Sequence, residues 1–308
     1  MPEGHTVHRI AGLFRELFQG HTIHASSPQG RFREGAALIS GLVLEQSEAR
    51  GKQLFLHFES DRIVRVHLGI YGAWDVTTLQ GDSVRAGSAQ TLSWGAPRVT
   101  RRRIGERDDS VDHDEPFPPA PRGAVRLRLE TPEVVADLRG PTACEVHTPE
   151  EAQAVLARLG PDPLLDKGIR GQRDFVRRVL ATTRPIGLVL MDQAVVSGIG
   201  NVYRAEILFR HALDPYQPAS SIPEEMLVEV WKDWRDLLAD GVKTGVMMTR
   251  HDLVGRERQR ALRVAWERYF VYKREGLPCR VCGTSIQMAL MSNRKLYFCP
   301  QCQRSGKV

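Results

Sequence analysis

The chain has 308 residues, 42% of them hydrophobic, and carries 43 Lys and Arg against 37 Asp and Glu, giving a formal charge of +6 and a pI near 9.2. That length exceeds one comfortable core and predicts two domains plus a small appendage. No run approaches the roughly 20 uncharged apolar residues of a membrane span, and the start lacks a basic-then-apolar signal pattern, so a cytoplasmic protein with an anionic partner, nucleic acid foremost, is expected.

Residues 5–18 place Val7, Ile10, Leu13, Phe14, Leu17 and Phe18 at helical spacing before Gly20, which predicts an N-terminal helix. From about 21 to 140 the pattern changes to short apolar or alternating runs at 42–44, 53–58, 63–68 and 124–129, broken by glycines, which predicts a β-rich domain, a sandwich. Within it, residues 79–122 are polar and Pro-rich, with Arg101, Arg102 and Arg103 followed by an acidic stretch at 108–115. This insertion reads as a loop or a partly disordered insertion whose charges form a solvated face rather than a site. After Gly160-Pro161-Asp162-Pro163 helices are predicted near 172–182, 202–212 and 223–241.

Cys279, Cys282, Cys299 and Cys302 form two C-x-x-C pairs sixteen residues apart, the spacing of a four-thiolate structural zinc site; Cys144 stands alone. One Zn²⁺ is expected there, with no open position for water. At the other end the chain begins Met1-Pro2-Glu3-Gly4. Removal of Met1 would leave Pro2 as a secondary amine titrating at about 8 rather than at the ~10.4 of lysine, a candidate nucleophile with the Glu3 carboxylate one residue away. Many chains begin this way simply because a processed proline terminus is stable. Gly198-Ile-Gly200-Asn201 reads either as a turn whose free N–H groups bind a DNA phosphate or as a helix start capped by Asn201, and Tyr203 beyond it reads as core.

Taken together, the Pro-Glu-Gly start, Leu159-Gly-Pro-Asp-Pro-Leu164, Gly198-Ile-Gly-Asn-Val-Tyr203 and Arg294-x-x-x-x-Cys299-Pro-x-Cys302-Gln303, in this order over residues 2–303, resemble the formamidopyrimidine-DNA glycosylase and endonuclease VIII family. The resemblance implies an α+β protein. An N-terminal helix on a two-layer β-sandwich (2–140) would precede a helical domain with a helix-two-turn-helix motif (141–265) and a zinc β-hairpin (266–308), with DNA in the cleft between domains. It further implies a DNA glycosylase and abasic-site lyase acting through a Pro2 Schiff base and β,δ-elimination. Glu3 would transfer protons, Lys52 would contact the lesion phosphate, and Arg294 would bind phosphate and aid δ-elimination. Arg158 and Asn201 would contact the flanking backbone, and Ile70 and Tyr71 would fill the hole left by the extruded base, unless they are ordinary core residues. The partner would be double-stranded DNA with damaged bases or abasic sites, and the protein a monomer. Gly4 and the Ile70-Tyr71-Gly-x-Trp74 pattern favour the endonuclease VIII branch and oxidised pyrimidines over a purine-directed enzyme or a non-catalytic binder of damaged DNA. Thr6, where the family commonly has glutamate, and Gly69, where some relatives have a polar wedge, depart from the pattern.

Overall fold

A computed structural model describes residues 2–79, 99–104, 111–113 and 117–304. The chain divides into two units, one of Pro2 and Thr6–Ala157, the other of Glu3–His5 and Arg158–Val308. In the first, helix α1 (Gly4–Leu17) sends Val7, Ile10 and Phe14, with Phe18 just beyond, into the core at i, i+3 and i+4 spacing. The strands are β1 (Thr22–Ser26), β2 (Leu42–Arg50), β3 (Gln53–Phe58), β4 (Arg62–His67), β5 (Ala73–Leu79), β6 (Val99–Ile104), β7 (Val111–His113), β8 (Val125–Glu130), β9 (Val134–Arg139) and β10 (Ala143–His147), with helix α2 (Arg33–Ile39) between β1 and β2.

They hydrogen-bond in the order β10-β4-β3-β2-β1-β8-β9-β5-β6-β7, and every pairing is antiparallel. The two layers are thus one continuous sheet joined through a short β1–β2 contact at Thr22↔Val43 and Ile23↔Leu42. Leu54, Leu56, Val64 and Val66 from one half share a core with Trp74, Val76, Leu127 and Leu129 from the other. The insertion differs from the expected loop. Arg101, Arg102 and Arg103 lie in β6, paired with Thr77, Val76 and Asp75 of β5, and β7 adds a further short strand. A strand built around three consecutive arginines lacks the apolar alternation by which sequence reveals strands. The rest of the insertion, 80–98, 105–110 and 114–116, lies outside the described residues.

The sheet unit also runs past residue 140. Strand β10 pairs with β4, and α3 (Pro149–Ala157) buries Ala152 against Phe55 and Ile63, so the division falls after Ala157. The second unit holds α4 (Ile169–Leu180), α5 (Ile186–Val189), α6 (Asn201–Arg210), α7 (Glu224–Thr244), α8 (Gly255–Arg263) and the hairpin β11 (Gln287–Met291) and β12 (Arg294–Phe298). Cys279, Ile286, Leu296 and Cys299 belong to the same core as Phe175, Tyr203, Trp231 and Trp234. The zinc hairpin therefore shares its core with the helices of this unit.

Candidate active site and zinc centre

Helix α6 organises the second unit's chemistry. The tight turn before it requires glycine: Gly198 sits at φ +106°, and a Cβ on Gly200 would lie 2.4 Å from the Glu3 carboxyl carbon. The N–H groups that this turn frees are occupied by the chain's own carboxylate. Glu3, fully buried, accepts from Gly200 N (2.8 Å), Val202 N (2.8 Å) and Tyr203 N (3.3 Å), while Gly198 N donates to Gln193 Oε1 (3.0 Å). The expected phosphate site at this helix start is thus corrected, because its anion is Glu3. Three N–H donors and the positive end of the helix suit the ionised carboxylate, and Pro2 is one peptide bond away. Gly4 N donates to Gly198 O at 2.9 Å, which ties the chain start to the same turn.

Asn201 is the first helical residue and not a cap. Its amide donates to Lys295 O (2.7 Å) and its carbonyl accepts from Arg204 Nη2 (2.5 Å), so it fastens strand β12 to α6 beside Arg294. Arg294 itself is exposed, directly after a Ser292-Asn293 turn in which both residues have positive φ, 49° and 60°. Burial, and then the charge of Arg294, lowers the buried Arg204 to about 10, with Glu3 opposing. Burial, and then Glu3, pushes Tyr272 up to about 12. Tyr203 is core, with its ring edge-on to His5 at 5.5 Å. Arg158, at the start of this unit, is exposed and has no ion pair among the described residues.

The four cysteine sulfurs lie within 4.8 Å of one another, with Cys279–Cys302 at 3.9 Å and Cys282–Cys299 at 3.5 Å, close to the ~3.8 Å edge of a tetrahedron with 2.3 Å zinc–sulfur bonds. Val281 N and Cys302 N each donate to a knuckle sulfur at 3.4 Å. Gln303 accepts from Cys299 N (2.9 Å) and donates to Leu213 O (3.1 Å), which pins the knuckle to the helices. The residues fit one structural zinc ion.

In the sheet unit, Gly51 (φ +57°) and Lys52 turn the chain from β2 into β3. His67, at the end of β4, pairs with Gln53, and burial together with the Lys52 charge lowers its pKa. The alternative that Ile70 and Tyr71 are core residues fails. They are 55% and 86% exposed on the loop between β4 and β5. Gly69 before them sits at φ +66°, and a Cβ there would come within 1.9 Å of Thr142 Oγ1, so a side chain at this position would be strained and would have to displace Thr142.

Family models match in chain order: the formamidopyrimidine-DNA glycosylase N-terminal domain over 1–141, its H2TH domain over 159–252, and the zinc finger found in FPG and IleRS over 276–304. Endonuclease 8 1 of Mycobacterium tuberculosis is 38% identical over 98% of this chain and 100% of its own length. The chain belongs to the formamidopyrimidine-DNA glycosylase and endonuclease VIII family. Formamidopyrimidine-DNA glycosylase of Thermus thermophilus is 29% identical over 99% of this chain and 100% of its own length. The crystal structure of MutM (Fpg) from Thermus thermophilus superposes with a TM-score of 0.64 at 25% identity, covering 98% of each chain. Lactococcus lactis Fpg in a complex with abasic-site DNA gives 0.71 at 18% identity, covering 98% of this chain and 100% of that one, and shows the shared fold.

As a family member the chain is a DNA N-glycosylase with lyase activity at abasic sites. Sequence reasoning missed Glu206, which is fully buried on α6. It accepts from Phe270 N, Val271 N and Tyr272 N at 2.8–2.9 Å and from Thr249 Oγ1, and so joins the helix to the segment leading into the zinc knuckle. A lone glutamate in an apolar helix, Ala205-Glu206-Ile207, was its only sequence signal.

Proposed function

We propose that the Pro2 amine, freed of Met1, attacks C1′ of a damaged nucleotide as the base departs with the glycosidic bond's electron pair, and that the C1′–O4′ bond then breaks, O4′ taking a proton, to leave an iminium that loses a C2′ proton to expel the 3′ phosphate and next a C4′ proton to expel the 5′ phosphate. Lys52 and Arg294 serve as the cationic partners of those phosphates, Arg158 contacts the flanking backbone, and Ile70 and Tyr71 fill the vacated stack. The observation that carries the reading is the Glu3 carboxylate, held by three N–H donors one residue from the amine. A carboxylate bound in this way supports stabilisation of the cationic iminium. Asn201 acts through the hairpin strand it holds rather than by touching DNA.

The substrate is duplex DNA, in keeping with the abasic-site DNA bound by the Lactococcus lactis relative, and the lesions are oxidised pyrimidines. Support for the endonuclease VIII branch comes from the 38% identical endonuclease 8 and from the exposed Ile70-Tyr71 pair. The protein works on DNA in the cytoplasm as a monomer, and no helix among the described residues is long and apolar enough to cross a membrane. Borohydride reduction on an abasic duplex should trap the enzyme through Pro2, and oxidised-pyrimidine duplexes should be cut faster than 8-oxoguanine duplexes. An adduct mapped to a lysine would overturn the nucleophile, and the reverse lesion preference would overturn the branch.

A further inference from the structure

Helix α8 carries four arginines and one glutamate, and the segment 250–268 has six arginines and no lysine. Its charges are divided between two faces. Arg258 turns inward to Asp240 at 2.6 Å, and Ala261 beside it is fully buried, so this side anchors the helix to its unit. On the opposite side Arg256, Gln259, Arg260 and Arg263 recur at i, i+3, i+4 and i+7, the spacing of one helical stripe, and with Val264 they line a shallow groove of about 320 Å³. Arg260 in that stripe is fixed by Glu267 at 2.9–3.0 Å, whereas Arg256 and Arg263 are exposed and form no ion pair among the described residues. At the two ends of the helix Val254 and Trp266 are 72% and 65% exposed, and the Trp266 backbone is held by Arg280 Nη2 donating to its carbonyl at 3.2 Å.

From this arrangement we infer that the outward stripe of α8, with Trp266, is a second DNA-contact surface: Arg256 and Arg263 grip phosphates of the duplex and the Trp266 indole lies against sugar or base. Arg256 and Arg263, two helical turns apart on one stripe, carry planar forks that can each give a phosphate two parallel N–H bonds. Paired acids fix Arg258 and Arg260 and leave the two free guanidinium groups on a pre-organised support. The exposed indole of Trp266, three residues after Arg263, offers an apolar plate that water does not reward and that a nucleotide can cover. The inference rests on the reading of the chain as a DNA-acting enzyme but assigns a surface beyond the residues proposed for the reaction.

The test uses the full zinc-loaded protein and an undamaged fluorescent duplex, with affinity measured by anisotropy from 50 to 200 mM salt. Arg256→Gln/Arg263→Gln should lower the slope of log affinity against log salt by about 1.8, and weaken binding at 100 mM salt on the order of tenfold per lost contact. The corresponding double Lys variant should recover most of the slope, and Trp266→Ala should weaken binding with the slope unchanged. Borohydride trapping on an abasic duplex at saturating enzyme should persist in all three, so failure of the chemistry and failure of the surface read out separately. An unchanged slope in the Gln variant with a wild-type melting temperature overturns the inference. So does binding to anionic-lipid vesicles that depends on these arginines while duplex affinity does not.

Discussion

Replacing Glu3 by Gln keeps the shape of the side chain and removes its charge, so the structure allows the cost to be worked out. Three backbone N–H groups converge on the carboxylate, at 2.8, 2.8 and 3.3 Å, in a site with no solvent exposure. A hydrogen bond to a charged acceptor contributes about 1 kcal/mol more than a neutral one, so three such bonds lose roughly 2 to 3 kcal/mol. The amide nitrogen of Gln must also face at least one N–H donor, and a buried donor left unpaired costs about 1 to 3 kcal/mol more. The helical unit should therefore lose about 3 to 6 kcal/mol, equivalent to a fall in melting temperature on the order of 10 °C. Amide hydrogen exchange read at Gly200, Val202 and Tyr203, together with urea denaturation, measures this directly. Because Asn201 and Arg204 on the same helix hold Lys295 O beside Arg294, DNA affinity should fall together with base release. A variant that exchanges these amides at the native rate, or loses less than about 1 kcal/mol, would refute the claim that the carboxylate anchors α6.

Arg294→Ala should weaken duplex binding by about 1.5 to 3 kcal/mol and reduce the salt slope by about 0.9, measured by anisotropy, with melting unchanged because the side chain is exposed. Cys299→Ser or zinc chelation should lower the melting temperature of the whole helical unit and release Arg294 from its register, since Cys279 and Cys299 lie in the same core as Trp231 and Trp234; calorimetry that found only a local change would contradict this. Asp233 is buried enough to be pushed up, but His211 and Arg210 outweigh this and hold it at about 2, below its ordinary 3.8. A carboxyl depressed on folding contributes stability that is present above about pH 4 and disappears as pH falls through about 2. The helical unit should lose roughly 1 to 2 kcal/mol over that window, and Asp233→Asn should flatten the dependence in a pH series of melts.

Periodicity and cysteine spacing are local properties, and what depends on them was legible in the sequence. The apolar stripe of α1, the strands at 53–58 and 125–130, helices α6 and α7 and the four zinc ligands all stand where the chain's own pattern puts them. Their side chains choose helix, strand or metal over a span of a few residues. The sequence could not reveal which groups across the chain would satisfy one another. Nothing near Gly198 says that the anion at the α6 start is a glutamate about two hundred residues earlier. Nothing near Asn201 says that its amide is spent on the hairpin strand, or that the zinc hairpin shares the helical core. Strands β6 and β7 stayed hidden because short charged strands are defined by the ladder they join and not by an alternation of their own. Residue types and spacing determined the candidates for chemistry. Burial, and the need of every buried N–H and carboxylate for a partner, decided in the tertiary structure which of them face solvent and which hold the others in place.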